Sequence, residues 1–241
     1  MKLLKVLSGS LGFFTLIPSG DPRNFNEFIE HLEIIPLTGA LIGVVLGAVV
    51  YLLSYKEELL ILFPLIYVLV EGINHLDGLS DFADGVCASG DREKKIKAMK
   101  DVSTGSGGVT ALIIYLILLT YSIFIIDSPD IRFFSIILSQ SYSKLGILIL
   151  LFYGNPIHPG LAEMFSKKVT ARKVLTGLAI AILVGLLWFP ESLIALTLSI
   201  LLTYIILKIA RKHFGGISGD VAGALNCVIF AGCLLTFGVL S

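Results

Sequence analysis

The chain has 241 residues, 56% hydrophobic and 15% charged, with a mean hydropathy of +0.92 and a formal net charge of +0. Those values exclude an ordinary soluble domain and point to a polytopic membrane protein, a single integral domain over residues 1–241. The neutral balance singles out no charged partner. The three cysteines, Cys87, Cys227 and Cys233, have neither zinc-like spacing nor the pattern of a disulfide framework.

Residues 1–17 carry Lys2 and Lys5 ahead of an apolar centre, as a signal peptide would, but no A-x-A-like cleavage site follows, and the segment is read as retained. Gly9, Gly12 and Pro18 interrupt it, which predicts a short interfacial or re-entrant helix. A polar link at 19–33 leads to a first span at about 34–53. Lys56, Glu57 and Glu58 mark a turn, and a second span runs from Leu59 into an acidic stretch. The chain is hydrophilic and basic over 84–108. Third and fourth spans follow at about 109–126 and 131–152, then a polar segment over 153–173. Fifth and sixth spans at about 174–189 and 192–210 meet at Pro190, and a last one covers 221–240. The expected fold is all-α, a membrane bundle of about seven transmembrane helices plus the short N-terminal helix. Each run approaches the ~20 residues needed to cross a bilayer core.

Threading these spans from a cytoplasmic N-terminus puts Lys2, Lys5, Arg23, the Arg92–Lys100 cluster, Lys167, Lys168, Arg172, Lys173, Arg211 and Lys212 inside. Lys56 and Arg132 then lie outside. This positive-inside bias predicts a multi-pass protein of the cell membrane with its acid- and glycine-rich motifs on the cytoplasmic side.

The stretch Glu71 to Gly85 holds the densest chemistry. On a continuous helix, Glu71, Asn74, Asp77, Asp81 and Asp84 share one half, and Ile73, Leu76, Leu79, Ala83 and Cys87 the other. Carboxylates at i, i+4 and i+7 beside a bilayer are costly unless a cation joins them, and an oxygen-only set suits Mg²⁺ or Mn²⁺ bridging to phosphate. His75 is a candidate proton acceptor or phosphate donor, or an interfacial histidine satisfied by hydrogen bonds. A second motif, Lys100 and Asp101 followed by Ser103 to Gly108, places glycine amides before a helix, either as an anion site or as a flexible turn. The third, Gly215-Gly216-Ile217-Ser218-Gly219-Asp220, repeats the glycine-plus-acid design at the start of the last span, although an acid there also matches a helix dipole. Lys144, in mid-span beside Ser139, Gln140, Ser141 and Ser143, is expected to pair with an interior acid or carbonyl.

These residues resemble a known family. The runs 75–85, Met99-Lys100-Asp101 with Gly105 and Gly108, and 215–224, together with Phe14, Thr15 and Pro18, are similar to the cobalamin synthase family of adenosylcobinamide-GDP ribazoletransferases. The likeness covers nearly the whole chain in the family's order. It departs at Leu16 and Ser103, where the family commonly has Arg, and at Cys227, where it often has Glu.

The resemblance implies adenosylcobinamide-GDP and α-ribazole (or its phosphate) as substrates, GMP as leaving group, and adenosylcobalamin (or its 5′-phosphate) as product. It implies a Mg²⁺ site (Mn²⁺ as substitute) made by Asp77, Asp81 and Asp84 and completed by Asp220. Catalysis would fall to Asp84, His75 and Asp81, with Asp84 taken as base. Substrate phosphates would lie against Lys100, Asp101, Gly105, Gly108, Gly215, Gly216 and Ser218. The lipid bilayer is a further partner, nucleic acid is not expected, and oligomeric state is left open. A CDP-alcohol phosphotransferase would need an Arg soon after Asp-Gly-x-x-Ala, which is absent here. A secondary transporter would gather its charges at the midplane, often within an internal repeat.

Overall fold

The structure, a computed structural model, describes residues 2–18, 21 and 23–241. Among them are twelve α-helices: α1 (Lys2–Phe14), α2 (Asn24–Glu30), α3 (Ile35–Leu53), α4 (Phe63–Glu71), α5 (Asn74–Cys87), α6 (Arg92–Met99), α7 (Ser106–Ile125), α8 (Pro129–Tyr153), α9 (Leu161–Ser166), α10 (Ala171–Gly185), α11 (Glu191–Phe214) and α12 (Gly219–Leu240). Among the described residues, six spans are long and apolar enough to cross a membrane: 32–53, 106–125, 129–153, 171–188, 191–214 and 219–240. The protein is therefore a membrane-embedded helical bundle, as its composition predicts. Its lipid-facing surface carries exposed large side chains such as Ile114 and Ile117 on α7 and Leu183 on α10.

The axis of the bundle is α8, whose apolar window is 89% buried, against 17% for the span containing α10. Ser128 caps α8 by accepting a hydrogen bond from the Ile131 amide at 3.2 Å, and Pro129 occupies the first turn, where its missing N–H is not needed. On α3, Gly39 and Gly43 recur one turn apart and face α8. A Cβ on Gly39 would meet the Gln140 carbonyl oxygen at 2.3 Å, and one on Gly43 the Ile137 Cα at 2.5 Å. Small residues at this spacing allow two backbones to touch, and in lipid, van der Waals packing of this kind replaces the hydrophobic drive as the force joining helices.

The second span departs from a continuous helix. A 3₁₀ stretch, Glu57–Leu62, runs into α4, which stops at Glu71, and α5 then leaves at 101°. The cause is Gly72, whose φ of +78° a side chain would strain. At 1.5 and 2.0 Å per residue, the two helical pieces together reach roughly 25 Å, so the stretch comes close to crossing before it turns. In consequence Glu71 points into the bundle and does not join the acid stripe, and α5 lies outside the spans.

The polar segments contain three helices that hydropathy alone does not reveal. In the link at 19–33, positions 19, 20 and 22 fall outside the described residues, and α2 occupies 24–30. It packs on α1 where a Cβ on Gly9 would meet the Asn24 carbonyl oxygen at 2.3 Å. The basic segment holds α6, capped by the Asp91 carboxylate, which accepts a hydrogen bond from the Lys94 amide at 3.0 Å. The third is α9.

Candidate active site

At one end of the bundle α5 packs against α12, α7 and α6. Gly78 of α5 and Gly223 of α12 pack against each other, and a Cβ on Gly78 would meet the Asp220 carbonyl oxygen at 3.0 Å. This contact brings Asp220 to the Asp77–Asp84 helix. Burial pushes the Asp81 carboxyl up to about 6, and the negative charges of Asp77, Asp220 and Asp84 add to the shift. None of the ion pairs among the described residues involves Asp77, Asp81 or Asp220. The region is thus short of positive charge.

Among the described residues, no three His, Cys, Asp or Glu side chains are drawn together as a closed metal site. The donor chemistry does fit a hard divalent cation: carboxylates from two packed helix ends, mutually repulsive and without a basic partner.

Asp84 is differently engaged. Its Oδ2 accepts a hydrogen bond from the Gly105 amide at 2.7 Å and its Oδ1 from the Gly108 amide at 2.8 Å. The carboxylate thus holds the start of α7, satisfying amides that have no partner within the helix and matching its dipole. A Cβ on Gly108 would come within 2.3 Å of Ser80 Oγ, so the loop must be this bare to approach α5. In this structure the glycine amides expected to receive phosphate are filled by Asp84. Lys100 and Asp101 are exposed at the end of α6, and Asp101 accepts a hydrogen bond from the Ser103 amide at 2.9 Å.

Of the third motif, Gly215 takes φ +83° to end α11, beneath the Arg92 guanidinium. Gly216 is packed against the Asn155 carbonyl, where Ile217 forms a single parallel bridge with Pro156. Ser218 caps α12, accepting from the Val221 amide at 3.4 Å and donating to Asp220 Oδ2 at 3.1 Å. These three residues fix the entry of α12. Gly219 and Asp220 are the members of the motif that reach the cavity.

That cavity, about 400 Å³, opens beside the acids and is lined at its polar end by Asn74, His75, Asp77 and Asp220. Behind it lies a buried ionic network. Lys144 Nζ donates to Glu71 Oε2 at 3.0 Å, to Asn226 Oδ1 at 2.8 Å and to Gln140 Oε1 at 3.2 Å, and stands 5.3 Å from the centre of the Phe14 ring. The interior partner expected for Lys144 is therefore Glu71. The same carboxylate oxygen is 3.0 Å from His75 Nδ1, an electrostatic contact off the line of a good hydrogen bond. Cys227 Sγ donates to the His75 carbonyl at 3.4 Å. The sequence reading placed Glu71 in the acid stripe rather than against Lys144 and gave Asn226 no role; an acid at the foot of an apolar run opposite a mid-span lysine was the available signal.

A profile of the family described as cobalamin-5-phosphate synthase matches residues 6–238. The chain belongs to that family. Its curated relatives include proteins named adenosylcobinamide-GDP ribazoletransferase. One from Pyrococcus furiosus is 36% identical, over 94% of this chain and 96% of its own length. Two from Archaeoglobus fulgidus are 31% and 36% identical, each covering 96% of both chains. No solved structure matches. Membership places the chain in cobalamin synthesis, at the assembly of the nucleotide loop.

Proposed function

We propose that the chain transfers the corrinoid phosphoryl group of adenosylcobinamide-GDP to a hydroxyl of α-ribazole or its phosphate. A new P–O bond forms between that hydroxyl oxygen and the corrinoid-side phosphorus. The phosphoanhydride bond breaks, and GMP leaves with its electron pair. The product is adenosylcobalamin or its 5′-phosphate. The observation that carries this reading, in a chain of this family, is the meeting of Asp77 and Asp220 at the mouth of a cavity, with Asp81 close enough to feel both charges.

Asp77, Asp81 and Asp220 would hold Mg²⁺ or Mn²⁺, which when bound supplies charge neutralisation for the diphosphate and the departing GMP. Asp84, with both oxygens bound to amides, keeps α7 against α5. We therefore assign proton acceptance to His75 rather than to Asp84, the base expected from the sequence. The Glu71 carboxylate, 3.0 Å from Nδ1, favours the tautomer protonated there and leaves Nε2 as the basic nitrogen. Lys100 and the other basic residues at this end attract the anionic substrates. The positive-inside bias supports a cytoplasmic placement of this end.

The test is GMP release from adenosylcobinamide-GDP by the purified chain in detergent, with and without α-ribazole. Transfer should stop with excess chelator and return with Mg²⁺ or Mn²⁺, but poorly with Ca²⁺, whose looser coordination misplaces phosphate. Full transfer by metal-depleted protein would remove the cation from the scheme. No GMP under any condition would remove the reaction itself.

A further inference from the structure

Behind the cavity, Lys144 is a buried cation that phosphoryl transfer by itself does not use. Its side chain and that of Glu71 are both fully buried. A Cβ on Gly39 would meet Lys144 Cγ at 2.8 Å, so α3 is bare where the lysine stem passes. An ammonium group has three protons to donate, and three side-chain oxygens take them here: Asn226 Oδ1 at 2.8 Å, Glu71 Oε2 at 3.0 Å and Gln140 Oε1 at 3.2 Å. Lys144 therefore has no donor left for a substrate, and its side chain does not line the cavity. Tyr67 closes the ring of hydrogen bonds, accepting from Asn226 Nδ2 at 3.4 Å and donating to Glu71 Oε2 at 3.4 Å. Lys144, Tyr67 and His75 thus converge on one oxygen of Glu71, while among the described residues Glu71 Oε1 has no hydrogen-bond partner.

We infer that Lys144 is a positioning residue for the proposed reaction: through Glu71 it fixes the orientation and the tautomer of His75. This deepens the proposed function and rests on His75 as its proton acceptor. A carboxyl group this deep in an apolar bundle stays ionised only beside a partner charge; alone it would take a proton. Ionised, Glu71 can only accept, so the imidazole nitrogen 3.0 Å away carries the ring hydrogen and Nε2 keeps its lone pair. Protonated, Glu71 would donate to Nδ1 instead. The ring hydrogen would then sit on Nε2, where it blocks acceptance of the hydroxyl proton. The charge of Lys144 thus decides between two neutral forms of a ring one contact away.

Phe14 holds the arrangement from the other side. Lys144 Nζ lies 5.3 Å from the centre of its ring, and the ring stacks on His75 at 6.1 Å with 19° between the planes. One aromatic face is therefore shared by the ammonium and the imidazole, and the relay draws on α1, α4, α5, α8 and α12 together.

The experiment separates positioning from packing. Lys144→Met combined with Glu71→Gln leaves no buried charge behind, so its detergent melt should lie near that of the unaltered chain. Its kcat for GMP release should nonetheless fall about 10–100-fold, part of the roughly 10²–10⁴ that a positioned proton acceptor contributes, with both substrate KM values within about 3-fold. Independently of turnover, ¹⁵N spectra of histidine-labelled protein without substrates, assigned with His75→Gln and taken where the ring is neutral, report the tautomer. They should show Nδ1 protonated and Nε2 bare in the unaltered chain, and a mixture or the reverse in the double variant. Recovery of kcat together with the melt would reduce Lys144 to a structural part and overturn the inference. An Nε2-protonated ring in the unaltered chain, or the same tautomer in both proteins, would overturn it as well. If the variant fails to fold, the spectrum of the unaltered chain still decides. A tautomer that follows Lys144 in a chain releasing no GMP would leave the relay standing and sink the transfer reaction.

Discussion

Asp81 sits where burial and three like charges act together, so its chemistry should respond to both mutation and pH. Asp81→Asn keeps the shape and removes a cation ligand, and should cut GMP formation by about 10²–10³, the usual loss for one transition-state electrostatic contact. An unchanged rate with a normal melt would show that this carboxylate is not at the reaction centre. Its folded-state carboxyl, at about 6, stands above the ordinary 3.8. Protonation therefore favours the folded form: the contribution is fully present below pH ~4 and lost as pH rises to ~6. Mg²⁺ should accordingly raise the melting temperature more at pH 7 than at pH 5, and an equal rise at both would contradict this account. The Lys144–Glu71 pair should behave differently. Lys144→Met strands a buried carboxylate and should cost roughly 3–5 kcal/mol, whereas adding Glu71→Gln should return much of the loss. A detergent melt of the single and double variants checks this, and equal melts would show that the two side chains do not share their charge.

At the scale of helices, the spans could be read from hydropathy because lipid enforces long apolar runs, and the seven expected regions are all helical. What could not be read was direction. Gly72 looked like one glycine among 24 in the chain, yet it ends α4 and sends α5 away at 101°. Periodicity across 71–84 placed Glu71 with the aspartates, but Gly72 breaks the phase and only Asp77, Asp81 and Asp84 keep it. Small amphipathic helices such as α2 and α9 were also hidden, because their apolar faces are only one or two rings wide and lie in polar segments. Even so, those faces supply Phe28 and Phe165 to the lining of the cavity. Gly72→Ala should therefore do more than a surface change. The added Cβ would meet Leu16 Cγ at 3.1 Å in a backbone conformation that costs about 1–3 kcal/mol for a side chain. We expect a lower melt and a larger fractional loss of activity, since both the acid helix and the N-terminal helices lean on this turn. Full activity would mean that the bend is not needed to shape the site.

Across the whole molecule, the acid, glycine and basic motifs collect at one end, while Arg132 pairs with Glu57 at 3.5 Å near the other. The charge asymmetry seen in the sequence thus has a spatial counterpart, although no single motif revealed that Asp220 and Asp77 line one cavity. That juxtaposition depends on Gly78 meeting Gly223 across 145 positions of chain, a contact local patterns do not encode. If the basic end faces the cytoplasm, a cysteine introduced in the segment 92–100 should resist an impermeant thiol reagent in intact cells, and one replacing Lys56 should react. The reverse pattern would invert the protein in its membrane.

The salt bridge between α4 and α8 also bears on how such a chain is made. Emerging from the ribosome, α4 brings Glu71 to the bilayer some seventy residues before Lys144 exists to meet it. Until then the acid must stay near the interface or carry a proton. When α8 arrives, its lysine costs roughly 3 kcal/mol to insert alone. Neither segment settles well without the other, so membrane integration here is a joint event, and α8 arrives as the keystone that lets the earlier half take its final depth.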